Sequence, residues 1–246
     1  MHEVLDSWRK QNDPWLQQVL GEVSALIALV QPELSWAVDL LNEGLASEAS
    51  TERRIGVAFS AANLWNDAKC RTRANAVMLR LIPQADSKLW SAILDIFRVV
   101  EDIGDAPEVT VLLDSMVAHI HKAGSQKNTF LVDRLKGLLP EHTSAVGHLA
   151  KGIITNLKDE LGDIRTGAAA DAPELVDIAL TLHRLGGPMR ELGIQLFEEL
   201  LRFDAYSARS TLEEIDARFR TGPVPTRRHR LPRRHTEAKR KRRAES

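Results

Sequence analysis

Apolar positions recur at helical spacing along almost the whole chain. Leu89, Ile93, Ile96, Phe97 and Val100 fall on one stripe, and Val109, Leu112, Leu113, Met116 and Ile120 on the next. Leu175, Ile178, Ala179, Leu182 and Leu185 make a third, and Met189, Leu192, Leu196, Phe197, Leu200 and Leu201 a fourth. Ala208, Leu212, Ile215 and Phe219 form the last. Steps of three and four place each set on one face of an amphipathic helix, which folding must bury. No stretch alternates apolar and polar residues with β-branched enrichment, and no Asn-Gly or Asp-Gly pair marks a hairpin. The pattern predicts an all-α protein.

Capping chemistry cuts these stripes into pieces. Asp13-Pro14 sets an acceptor before a first-turn proline, whose missing N–H costs nothing there. Asp105-Ala106-Pro107-Glu108 and Asp171-Ala172-Pro173-Glu174 repeat that grammar, with an acid placed to complete a capping box. Further breaks fall at Pro32, Ser47 to Ser50, Pro83 to Asp86, Gly104, Gly124, Pro140, Gly162 to Gly167, and Gly186-Gly187-Pro188. The result is roughly ten or eleven helices of about 12–20 residues. Helix pairs start near Asp86 and Pro107, Lys127 and His142, and Ala172 and Pro188. Their spacing of about 40–45 residues suits a HEAT- or armadillo-like array, an α-solenoid whose pairs bury their faces by stacking. The expected architecture is a domain over residues 1–219, with a right-handed helical-repeat body from residue 13. Leu196 is expected in the core between the final helix pairs. A compact irregular bundle is the competing arrangement.

Charge separates this body from the C-terminal segment. Residues 220–246 hold eleven Lys or Arg against Glu237 and Glu245, a net +9. The whole chain has 33 basic and 34 acidic residues, which leaves 22 against 32, or −10, for residues 1–219. Pro223, Pro225 and Pro232 stand among these basic residues with little apolar content, which predicts a disordered basic tail. Arg227, Arg228, Arg230, Arg233, Arg234, Lys239, Arg240, Lys241, Arg242 and Arg243 are the candidate polyanion contacts. They supply phosphate charge without base-reading geometry, and no aromatic is interleaved for stacking.

Candidate chemistry is thin. Cys70 is the single cysteine, so an intrachain disulfide is excluded and a reducing compartment is expected. It lies between Lys69 and Arg71, but no base and orienting group accompany it as a nucleophile requires. His119 and His121, two apart, point to different faces of a helix, and His142 and His148 are no better spaced for a metal. There is no Walker A loop and no His-Glu-x-x-His. Acidic pairs such as Glu101-Asp102, Asp159-Glu160, Glu198-Glu199 and Glu213-Glu214 sit where a solvated helix face puts its charges. All five tryptophans, Trp8, Trp15, Trp36, Trp65 and Trp90, lie in the first 90 residues. They are expected to fill the core, with Trp8 the exposed exception. No apolar run approaches the roughly 20 residues that span a bilayer, and no signal-peptide layout opens the chain. A cytoplasmic protein without cofactor or metal, and not an enzyme, is expected.

The segment from Glu174 to Phe219, ELVDIALTLHRLGGPMRELGIQLFEELLRFDAYSARSTLEEIDARF, resembles the C-terminal HEAT-like regions of large bacterial multidomain proteins, including STAND-type NTPases of phage defence. The resemblance rests on Leu175-Val176-Asp177, the Leu185–Arg190 turn, Gly193 to Leu200, Asp204-Ala205-Tyr206, and Leu212 to Phe219. It implies a recognition arm that binds a protein partner while another domain performs chemistry, and it transfers no catalytic residue. The nucleotide-binding and effector domains of such proteins are not in this sequence, so the chain reads either as a split product or as a stand-alone repeat protein. Arg184, Arg190, Glu191 and Arg209 are the candidate partner contacts. The leading expectation is a non-enzymatic interaction scaffold; the alternative is a nucleic-acid-binding accessory protein acting through its tail.

Overall fold

A computed structural model describes residues 2–99, 106–123, 129–161, 173–202 and 206–221. The described residues are helical and contain no strand. The helices are α1 (His2–Arg9), α2 (Pro14–Val30), α3 (Ser35–Gly44), α4 (Thr51–Leu64), α5 (Arg71–Leu81), α6 (Ser87–Leu94) and α7 (Ile96–Val99). They continue as α8 (Glu108–His119), α9 (Thr129–Gly137), α10 (Leu139–Leu161), α11 (Pro173–Leu185), α12 (Gly187–Arg202) and α13 (Tyr206–Thr221). Short 3₁₀ turns follow α5 and α8, at Ile82–Gln84 and Ile120–Lys122. The chain divides into a unit of residues 1–209 and a second of residues 210–246.

The helix starts obey local chemistry. Asp13 accepts from the Leu16 N–H at 2.9 Å, Asp86 from Leu89 at 2.9 Å and Ser50 from Arg53 at 3.2 Å. Each satisfies an N–H that has no partner within its own helix. Asp105 and Asp171 lie outside the described residues. The stripe from Leu89 to Phe97 is split: α6 stops at Leu94 and Asp95 separates it from α7. His142 leaves helical geometry (φ −123°, ψ 39°), so α10 is a short turn joined to a long helix. Gly186 (φ +78°) and Gly187 (φ +52°) reverse the chain between α11 and α12 in a region side chains disfavour. α1 is an element the apolar stripes did not announce; it is anchored by Leu5, which is fully buried with Leu20 and Leu40.

Most stripe residues are in the core. Leu89, Ile93, Ile96, Phe97, Val109, Leu112, Leu113, Met116, Leu175, Ile178, Ala179, Leu182, Leu192 and Leu200 are buried, and Leu196 is 1% exposed. Two expectations fail. Leu185, the last of its stripe, is 58% exposed because it sits at the end of α11 beside the glycine turn, and Leu212 on α13 is 46% exposed.

Within residues 1–209 each helix packs on near neighbours in the chain. α2 lies on α3 and α4, α4 on α5 and α6, α5 on α8, α8 on α10, α9 on α11, and α10 on α12. Side-chain hydrogen bonds keep the same register. Thr51 Oγ1 donates to Asp86 35 residues ahead, and Thr72 Oγ1 to Glu108 36 ahead, tying helix starts together. Carbonyls where helices and turns end receive donors from further on, Ile120 O in addition to the N–H of Ala123. Leu29 O accepts from Arg73 Nε (2.9 Å), Leu45 O from Gln84 Nε2 (3.3 Å), Pro83 O from Lys122 Nζ (2.8 Å) and Ile120 O from Asn156 Nδ2 (2.7 Å). Those four bonds span 36 to 44 residues.

The closest crossing is α2 on α4. A Cβ on Gly21 would stand 2.1 Å from Arg53 O, and one on Gly56 would stand 2.0 Å from Gln18 O. Each glycine thus faces the other helix's backbone, and Ser60 Oγ donates to Glu22 O at 2.7 Å across the seam. α12 meets α11 the same way at Gly193, where a Cβ would stand 2.5 Å from Ala179 O.

Candidate interaction surface

The first helices build a polar surface around one shared carboxylate. Arg53, on α4, is 7% exposed; its guanidinium donates to Leu40 O at 3.0 Å and to Glu43 Oε2 at 3.3 Å. Arg9, on α1, reaches the other Glu43 oxygen at 2.6 Å. Glu43 on α3 therefore links α1 to α4 through two arginines. Burial pulls the Arg53 pKa down, opposed by the Glu43 charge and hydrogen bond, with Arg9 adding to the lowering. An arginine starts so far above neutrality that it keeps its charge.

Two clefts flank this triad. The larger, about 740 Å³, lies between α1 and α3 and is lined by His2, Asp6, Arg9, Trp36, Asp39, Leu40, Asn42, Glu43 and Ala46. The second, about 420 Å³, is lined in part by Arg9, Pro14, Gln17, Glu48, Glu52 and Arg53. In the first, the His2 and Trp36 rings lie 5.1 Å apart at a 36° tilt. This cleft went unseen in the sequence because α1 did. The available signal was Leu5 and Trp8, three apart, ahead of the Asp13-Pro14 cap.

Tryptophan placement corrects one expectation. Trp65 and Trp90 are fully buried and Trp36 is half-buried. Trp8 is half-buried too, packed against the Leu5, Leu20 and Leu40 group, whereas Trp15 in the first turn of α2 is the exposed one, at 67%. Position explains it: α1 packs back on α2 around Trp8, while Trp15 precedes the stretch of α2, from Gln18 on, that meets α4.

Cys70 is buried, and its Sγ donates to Leu29 O at 3.5 Å. The cation beside it is Arg73, 3.7 Å from Sγ, rather than the flanking Arg71. Arg71 donates to Trp65 O at 3.0 Å, and its guanidinium lies 5.4 Å from the centroid of the Trp65 ring. Cys70 and its arginine neighbours thus tie together the ends of α2 and α4. Among the described residues no three His, Cys, Asp or Glu side chains gather to hold a metal ion, and no helix is long and apolar enough to cross a membrane.

Of the candidate partner contacts, Arg184, Arg190 and Glu191 are exposed on either side of the Gly186–Gly187 turn, beside exposed Leu185, and Arg209 is exposed on α13. The basic cluster from Arg227 to Arg243 lies outside the described residues. Comparison with family models, with curated proteins and with solved structures gives no match for this chain.

Proposed function

We propose that this protein is a non-enzymatic interaction scaffold: a HEAT-like helical repeat whose body recognises a protein partner, as the recognition arm of a bacterial multidomain or multi-subunit system. The observation that carries the reading is the register of the long-range ties. Hydrogen bonds that join segments 35 to 44 residues apart recur from Leu29 to Gln195. That interval matches the spacing of helix pairs in the sequence and is what successive stacked pairs produce. Such arrays work by presenting side chains along stacked helices, and the exposed residues around the α11–α12 turn suit that use.

A second reading, a nucleic-acid accessory protein, draws on the +9 charge of residues 220–246. One comparison separates the two: the full chain against a variant with the ten candidate tail cations changed to glutamine. Binding of a labelled DNA duplex and a single-stranded RNA is measured at about 50 and 200 mM salt. Partners crosslinked to each form in cells are quantified in parallel. The scaffold reading expects the same crosslinked protein partner with either form. Duplex binding that falls steeply with salt and disappears with the cations, together with loss of that partner, transfers the function to the tail.

A further inference from the structure

The cleft between α1 and α3 combines concavity, aromatic surface and unspent negative charge. Its lining holds Asp6, Asp39 and Glu43 against Arg9 and the imidazole of His2, whose ring lies 5.1 Å from that of Trp36. Glu43 is fully engaged, one oxygen with Arg9 and the other with Arg53. Arg9 is likewise occupied by Glu43 at 2.6 Å and approaches Asp6 only at 3.9 Å. Asp39 is exposed and makes no hydrogen bond or ion pair among the described residues. It stands three residues after Trp36 and four before Glu43, so all three share one face of α3. Arg80 holds the rim residue Asn42 at 2.9 Å. A cation entering the cleft meets two carboxylates without a close partner beside an indole ring, the combination that favours guanidinium and ammonium groups. A phosphate or an acidic side chain would meet the same carboxylates and be repelled.

We infer that the α1–α3 cleft receives an arginine- or lysine-bearing segment of a basic partner protein, with Asp39 and Asp6 pairing the cation and Trp36 lying against it. This rests on the scaffold reading and gives it a partner class.

The probe is a capped Gly-Arg repeat peptide, with the Gly-Glu repeat as its control, titrated into the full chain at about 50 mM salt. The readout is the set of indole N–H resonances, Trp36 being identified by its loss in Trp36→Phe. The arginine peptide should move the Trp36 signal and the glutamate peptide should not. Asp39→Asn should weaken binding about three- to fivefold, the scale of one solvent-facing ion pair. Asp6→Asn with Asp39→Asn should weaken it by about tenfold or more, the melting temperature holding because both side chains line an open cleft. A Trp36 signal that stays in place, or equal affinity in the double variant, overturns the inference. If the peptide binds elsewhere on the body, the scaffold reading stands without this cleft. If the cleft behaves as stated but no partner is retained in cells, it is the scaffold reading that fails.

Discussion

Gly56→Ala is the sharpest test of how the first helices are joined. The new Cβ would lie 2.0 Å from Gln18 O and 2.8 Å from Glu22 N, where real Cβ contacts stay beyond 3.0 Å. Both obstacles are backbone atoms, so no side chain can swing aside, and α2 must move away from α4 by about 1 Å. A gap of that size forfeits a quarter to a half of each van der Waals contact along the seam, where Ser24, Ala25, Ala28, Val57 and Ala61 are buried. The Ser60–Glu22 bond at 2.7 Å would stretch beyond hydrogen-bond range, a loss of about 0.5–1.5 kcal/mol. Overpacking adds about 1–3 kcal/mol, and alanine's better helix propensity returns about 1 kcal/mol. The net is a destabilisation of about 1–3 kcal/mol, or roughly 2–12 °C in melting temperature for a chain of this size. Thermal and urea unfolding monitored by circular dichroism measure it. Gly137→Ala is the internal control: nothing lies within 4 Å of its Cβ position, so the same change should be neutral or stabilise by up to about 1 kcal/mol. If Gly56→Ala behaves like Gly137→Ala, the backbone-on-backbone crossing is refuted.

Three further outcomes are expected. Leu196→Ala should cost about 2–5 kcal/mol, because Leu196 is 1% exposed in the core that α12 shares; a loss below about 0.5 kcal/mol would contradict that packing. Arg53→Lys should cost about 1.5–3 kcal/mol, since both bonds, to Leu40 O and to Glu43, come from Nη2, which lies one bond further out than a lysine Nζ reaches; unchanged urea stability would refute it. The Thr72 hydroxyl, and then the residue's own backbone N–H, hold the Glu108 carboxyl below its ordinary pKa. A depressed folded pKa gives stability that is present above the ordinary carboxylate range and lost as pH falls through the folded value. Thr72→Val should therefore raise the Glu108 midpoint seen by carbon-detected NMR titration and shrink the acid-side loss of stability; an unmoved midpoint would show that the bond is absent in solution.

Local chemistry was legible wherever it is short-range. The cap at Asp13, the breaks at Ser47–Ser50 and Pro83–Asp86 and the turn at Gly186–Gly187 need only a few consecutive residues, and they appear where the sequence placed them, with Ser50 and Asp86 serving as the caps within those breaks. The apolar stripes likewise identified the buried faces, because a helix's period is written into the order of its residues. They misjudged their ends: Leu185 and Leu212 continue a stripe in sequence but are exposed in the fold. α1 escaped notice because its single anchor, Leu5, carries meaning only against Leu20 and Leu40.

Residue order alone specifies the all-α class, the alternation of helices and breaks, the capping residues, and the division of charge between the body and residues 220–246. Those depend on backbone hydrogen bonding, turn chemistry and formal charge, all properties of neighbouring residues or of simple counts. Packing in three dimensions chose which tryptophan is exposed, which arginine meets Cys70, and that Glu43 on α3 binds both Arg9 of α1 and Arg53 of α4. It also chose that Gly21 and Gly56 face each other's backbones and that α1 and α3 enclose a cleft. Each of these brings together residues that lie far apart in the chain, and their order does not specify which distant surfaces meet. The contact is selected by several helices packing at once, where a missing Cβ or a single carboxylate shared by two cations settles which surfaces fit.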